Sequence, residues 1–197
     1  MSSIEQQLKE LKELSQMDFL DDTARAEIEK AISVIDNIGV GAFTNNDGRL
    51  LIKYVNKSSN KNPVYSKVGD SGFDLRCNIN EPVTLKPMER KLIPTGLFFE
   101  LPLGYDMEIR SRSGLSLKNG VIVLNSPGTV DCQYRGEIQI ILINLGGEDF
   151  TINSGDRIAQ GLIRTAITDN VLDLAEVTDI FNDTNRGSGG FGHTGIG

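Results

Sequence analysis

All 21 glycines and all 6 prolines of this 197-residue chain lie beyond residue 38, a partition that constrains the fold more than any other feature of the sequence. Glycine and proline interrupt helices, and with asparagine and aspartate they punctuate strands and turns. Residues 1–38, rich in Glu, Lys, Leu and Ile, read as helical. Ile4, Leu8, Leu11 and Met17 fall near one face of a first helix, with Ser3 and Gln6 spaced for a capping box. The pattern breaks at Asp21 and Asp22, and Ile28, Ala31, Ile32 and Ile35 then form a second stripe that ends at Gly39, a helix C-cap. A helical hairpin follows. Its stripes bury against each other or the main domain, or meet a protein partner. The heptads are too few for a coiled coil.

From Gly41 onward, short β-type runs alternate with Gly, Pro, Asn and Asp. Candidate strands are Leu50 to Val55, Lys91 to Glu100, Asp106 to Arg110, Gly120 to Leu124 and Glu137 to Asn144, after an early turn at Asn45-Asn46-Asp47-Gly48. Strands so spaced predict a mainly β fold, a jelly roll or barrel. The tail from Asn185 is dominated by Gly, Ser and Thr and has little with which to build a core, so it is expected to be a mobile arm. The expected organisation is a helical extension at 1–40, one β domain at 41–184 and the arm at 185–197, in keeping with a length that supports one sizeable core.

A formal net charge of −7 argues against nucleic acid or an anionic membrane as a partner, since phosphate-rich surfaces are bound mainly by Lys and Arg. A polyanionic ligand would need a few positioned arginines, backbone amides and a divalent cation. Cys77 and Cys132 form no CxxC pair, which leaves reduced thiols as the expectation. No apolar run approaches the roughly 18 residues that span a bilayer, and the N-terminus has no apolar signal core. A cytoplasmic location is expected.

Three segments carry donors suited to phosphate: Arg110-Ser111-Arg112-Ser113-Gly114, Gly128 to Ile138, and Arg186 to Gly195. Alone, each reads as a turn or a flexible end. Together with two more segments they form an ordered series: SGFDLR at Ser71 to Arg76, RSGL at Arg112 to Leu115, GTVDCQYRGE at Gly128 to Glu137, GDRIAQ at Gly155 to Gln160 and RGSGGFGHTG at Arg186 to Gly195. This series resembles the five motifs of the trimeric dUTPase family. The resemblance covers roughly residues 50–197 and leaves the helical part outside it.

The resemblance implies a jelly-roll-like β-barrel subunit, a homotrimer with active sites shared between chains, and hydrolysis of dUTP to dUMP and pyrophosphate. It assigns Asp131 as the base that activates water for in-line attack at the α-phosphorus. Asn125 and the backbone at Gly128 would read uracil, and Tyr134 would pack on deoxyribose and exclude a 2′-hydroxyl. Arg112, Ser113, Gly114 and Gln160 would hold phosphates. Arg186 would reach the γ-phosphate from the arm, whose Phe191, between Gly190 and Gly192, would stack over uracil. Asp74 would help organise a hydrated Mg²⁺ coordinated mainly by the triphosphate and water. An inter-subunit salt bridge from Asp74 to an arginine is compatible with that role.

Some positions depart from the pattern. His193, the one histidine, stands where the tail motif often has Ser, and a histidine in such a tail serves more readily as a hydrogen-bond donor than as a base. Cys132 and Gln133 replace Ser or Ala and then Asp; Cys132 has no evident activating partner and reads as a packing residue. Pro127 stiffens the hairpin beside Asn125. Glu137 keeps open a dCTP deaminase of the same fold, or a bifunctional enzyme. A nucleotide-dependent regulatory binding protein is the alternative from another class.

Overall fold

The computed structural model describes residues 3–17, 19–38, 45, 47, 49–167 and 174–178. Helix α1 (Ser3–Ser15) and helix α2 (Asp22–Ile38) pack against each other. The break expected at Asp21 is a helix cap, because Asp21 Oδ1 accepts the Ala24 N–H at 2.7 Å. Arg25 closes the hairpin by donating from Nη1 to Ser15 O at 2.9 Å and from Nη2 to Met17 O at 3.2 Å, which satisfies carbonyls at the end of α1. Ser3 and Gln6, read as a capping box, both lie in the first turn of α1, and the C-cap expected at Gly39 falls outside the described residues. Asn45 Oδ1 accepts the Arg49 N–H at 2.9 Å, consistent with the early turn.

The rest is mainly β, as the sequence predicts, with four antiparallel sheets among the described residues. The largest has the order β2 (Phe73–Arg76), β11 (Arg157–Thr165), β6 (Tyr105–Arg110) and β8 (Gly128–Val130). A second joins β4 (Arg90–Pro94), β9 (Gln139–Asn144) and β7 (Val121–Val123). Two pairs complete the set: β1 (Lys53–Asn56) with β5 (Leu97–Glu100), and β3 (Val83–Leu85) with β10 (Phe150–Ile152). One core runs between them, with Leu75, Leu85, Met107, Leu142 and Ile152 removed from solvent. Its polar members are satisfied: Asn144 Nδ2 donates to Leu85 O at 2.9 Å and Glu148 O at 2.8 Å, and its Oδ1 accepts the Gly146 N–H at 2.8 Å.

Two departures from the sequence reading matter to the site. The run Lys91 to Glu100 is two strands, because the chain kinks at Thr95-Gly96, where Gly96 has φ +70° and a Cβ would lie 2.8 Å from Ser58 Cβ. The segment after Arg112 is a short helix, α3 (Ser113–Asn119), which ends at Gly120 with φ 68°. Among the described residues, no helix is long and apolar enough to cross a membrane.

Candidate active site

Strand parity sorts the large sheet into two faces. Phe73, Leu75, Met107, Ile109 and Ala159 face the core. The register sets Gln160 opposite both Asp74 and Arg110, so these three share the outward face. On the same face Asp106 stands opposite Arg164, and Glu108 opposite Thr129.

At one end of this face, Asp74 is held by two guanidinium groups. Arg112 Nε donates to Oδ1 at 2.9 Å and Arg157 Nη1 to Oδ2 at 3.1 Å, while Arg112 Nη1 also donates to Arg157 O at 3.0 Å. Asp74 is thus paired with two arginines of its own chain. Gln160 Nε2 donates to Ser111 O at 2.9 Å, and Ser111 Oγ accepts the Val123 N–H at 2.9 Å, which fixes the residue before Arg112. Ser113 and Gly114 open α3, so their N–H groups have no acceptor inside the helix. Asp74, Arg112, Ser113, Gly114 and Gln160 thereby gather around one strand end. Arg157 belongs to this group although sequence reasoning did not single it out; its signal was its place in GDRIAQ.

At the other end, β8 runs straight into Asp131. Asn125, Asp131 and Tyr134 line one hollow of about 280 Å³, with Leu92, Thr129 and Ile141 among its other walls. Gly128 packs against Asn125, since a Cβ there would lie 3.1 Å from Asn125 Nδ2. The Ser126–Pro127 peptide bond is cis. A tight turn follows Asp131, with the Tyr134 N–H on Asp131 O at 3.0 Å, and Tyr134 Oη donates to Glu137 O at 2.9 Å. Glu137 Oε1 accepts the Gly96 N–H at 2.7 Å. The apolar wall from Leu92 on β4 and Ile141 on β9 was not read from the sequence, because residues so distant in the chain share no local signal.

Beside the hollow, Asp106 has one carboxylate oxygen, Oδ1, buried without a hydrogen-bond partner among the described residues. Burial first, then the charges of Glu108 and Asp131, push its carboxyl above the ordinary aspartate value against the pull of Arg164. Burial likewise raises the thiol of Cys77, whose Sγ lies 2.9 Å from Asn153 O. Among the described residues, no group of three or more His, Cys, Asp or Glu side chains could hold a metal ion. Arg186, Gly190, Phe191, Gly192 and His193 lie outside the described residues.

In chemical terms, one end of the outward face offers cationic and amide donors for phosphate, and the other offers a carboxylate beside a hollow of nucleoside dimensions with an amide and an aromatic wall. A family model described as dUTPase matches residues 59–195. The deoxyuridine 5′-triphosphate nucleotidohydrolase of Finegoldia magna is 49% identical over 144 residues, which is 73% of this chain and 98% of the relative. The protein of the same name from Treponema denticola is 55% identical over 134 residues, 68% of this chain and 90% of its own. Among solved structures, the dUTPase of Staphylococcus bacteriophage 80alpha with dUpNHpp superposes with a TM-score of 0.63 at 26% identity, covering 74% of this chain and 98% of its own. A mutant dUTPase from phage phi11 of S. aureus, solved with attention to a structural Mg(II) ion, gives 0.57 at 25% identity over 65% of this chain and 97% of its own.

Proposed function

This chain belongs to the dUTPase family and hydrolyses dUTP to dUMP and pyrophosphate, and from that premise we propose how its residues share the reaction. The observation that carries the proposal is the single hollow that collects Asn125, Asp131 and Tyr134. Asn125 and the backbone at Gly128 read the uracil edge. The ring of Tyr134 lies against C2′ of the sugar, so a 2′-hydroxyl has no room. Asp131, at the hollow, takes a proton from the water that attacks the α-phosphorus as pyrophosphate departs on the opposite side.

Arg112, Ser113, Gly114 and Gln160 bind the phosphates, where guanidinium and amide donors offset charge that grows on the leaving group. These donors and Asp131 sit at opposite ends of β6: Val130 pairs with Met107, while Arg112 lies five residues further along. At about 3.3 Å per residue the two backbone positions are roughly 16 Å apart, a span that argues against both acting on one phosphorus from one chain. That separation supports active sites completed between copies, in the homotrimer that the motifs imply. Arg186 and Phe191, flanked by Gly190 and Gly192, then belong to an arm that closes over the bound nucleotide, Arg186 toward the γ-phosphate and Phe191 over uracil.

Mg²⁺ fits this donor set as an ion carried by the triphosphate. Asp74 already accepts from two guanidinium groups, yet each carboxylate oxygen keeps a lone pair for the ion's hydration water. When bound, the ion offsets phosphate charge. The deaminase reading would need Glu137 as a base, and its carboxylate is engaged by the Gly96 amide.

The test is pyrophosphate release from dUTP, UTP, dTTP and dCTP by the wild type and Asp131→Asn. Selectivity for dUTP is expected, with turnover falling at least about 100-fold in the variant, as for loss of a general base. Comparable turnover in Asp131→Asn would remove Asp131 from the mechanism, and ammonia release from dCTP would restore the deaminase.

A further inference from the structure

Tyr134 is half exposed in the hollow, yet its ring has little freedom. The hydroxyl donates to Glu137 O at 2.9 Å and so draws the phenol back across Gly136. No side chain fits beneath it: a Cβ on Gly136 would lie 2.5 Å from Cζ and 2.9 Å from Cε2 of Tyr134, inside the 3.0 Å that real Cβ contacts respect. Both atoms belong to a ring closed by its own hydrogen bond, so the ring would have to leave. The backbone makes no such demand, because Gly136 is not among the glycines in the left-handed region. The nearest obstacle to a side chain at position 136 is the tyrosine.

The acceptor that holds the hydroxyl is itself fixed. Glu137 Oε1 takes the Gly96 N–H at 2.7 Å, Thr95 Oγ1 donates to Ile138 O at 2.6 Å, and the Ile138 N–H reaches Leu97 O at 2.8 Å. Residues 137 and 138 are thereby stitched to the kink between β4 and β5, whose Thr95 is buried. The ring of Tyr134 hangs from a rigid point.

We propose that Gly136 is a specificity-determining residue: by leaving the space under Tyr134 empty, it lets the phenol latch onto Glu137 O and stand as a fixed wall against a 2′-hydroxyl. This rests on the reading of Tyr134 as the deoxyribose wall. Steric exclusion of one oxygen atom demands a wall that does not yield, and a half-exposed aromatic ring without its hydroxyl bond would yield. Alanine at position 136 breaks the latch and moves the ring, so the sugar pocket loses either its fit to deoxyribose or its barrier to ribose. Gly136 touches no reacting atom, and its effect belongs in binding and discrimination.

The experiment measures kcat and KM for dUTP and UTP in Gly136→Ala, Tyr134→Ala, Tyr134→Phe and the double variant Tyr134→Ala/Gly136→Ala, with thermal unfolding to confirm that each is folded. Gly136→Ala should lower the dUTP-over-UTP preference by roughly tenfold or more, the scale expected when a positioning group shifts by about an ångström, and mainly through KM. In the Tyr134→Ala background the same substitution should change nothing, since the group it displaces is gone. An unaltered preference in Gly136→Ala overturns the proposal, and so does an equal loss in both backgrounds. Tyr134→Phe keeps the ring and removes only the latch, so it reads the same question even if Gly136→Ala does not fold; preference should fall, and wild-type preference overturns the latch. If Tyr134→Ala itself retains full preference, the sugar-wall reading fails, an outcome distinct from failure at Gly136 alone.

Discussion

Arg112 Nε donates to Asp74 Oδ1 at 2.9 Å while Arg157 Nη1 holds Oδ2 at 3.1 Å, so one carboxylate on β2 aims two guanidinium groups, one from the cap of α3 and one from the start of β11. A flexible arginine recruits phosphate only after its rotamers are restricted, and Asp74 does that in advance. Asp74→Asn should therefore raise the KM for dUTP by about tenfold, the scale of one lost charge-assisted hydrogen bond. Steady-state kinetics across a range of Mg²⁺ concentrations checks the cause. Excess Mg²⁺ should not restore KM, because the lost contact is to arginine.

The proton balance on the outward face gives a second prediction. Glu108 on the same strand, Asp131 after β8 and Arg164 on β11 surround Asp106, whose carboxyl is pushed above the ordinary value chiefly by burial. A carboxyl raised in the native state binds its proton more tightly there than in the unfolded chain. Its contribution to stability is fully present below the unfolded value of 3.8 and is lost as pH rises through the native one. Asp106→Asn should melt higher than the wild type near pH 7, with the gap closing as pH falls below the ordinary aspartate value. Calorimetry at several pH values checks it, and an equal gap at all pH values would assign the change to packing.

Much of this architecture was legible where a residue's role is local. The helical hairpin followed from apolar spacing and from the lack of Gly and Pro, and Asp21 broke the pattern because it is a cap. Strand β9 was read within Glu137 to Asn144, on the branched run Ile140 to Ile143. Strands β2 and β11 were hidden because Asp74, Arg76, Arg157 and Gln160 alternate with core residues in segments that look like phosphate-binding motifs. The kink at Thr95-Gly96 was hidden because its cause, the close approach of Ser58, is distant in sequence. The clamp on Asp74 joins residues 38 and 83 positions apart, a relation that only folding creates.

Leu142 tests the core that supports the site. It is fully buried on β9, flanked by β4 and β7, and its neighbour Ile141 lines the hollow. Leu142→Ala should cost about 2–5 kcal/mol, from lost transfer energy and the cavity left behind. Chemical denaturation with an unchanged m-value would report it as a change in stability alone. Turnover well below the lowered melting temperature should persist, because no donor to substrate has moved.

The helical hairpin provides the last prediction. Arg25 ties α2 to the carbonyls of Ser15 and Met17, and the two helices pack on each other, so each has a neighbour without the β sheets. The family model also matches only from residue 59 onward. A chain lacking residues 1–40 should accordingly retain dUTP turnover and the preference over UTP. Phe19, exposed at 78% where the two helices turn, leaves an apolar group for a protein partner that such a deletion would release. Sedimentation of the shortened chain alongside turnover separates the cases: activity retained at unchanged assembly mass places the helices outside catalysis. Loss of both together would make them part of an assembly on which activity depends.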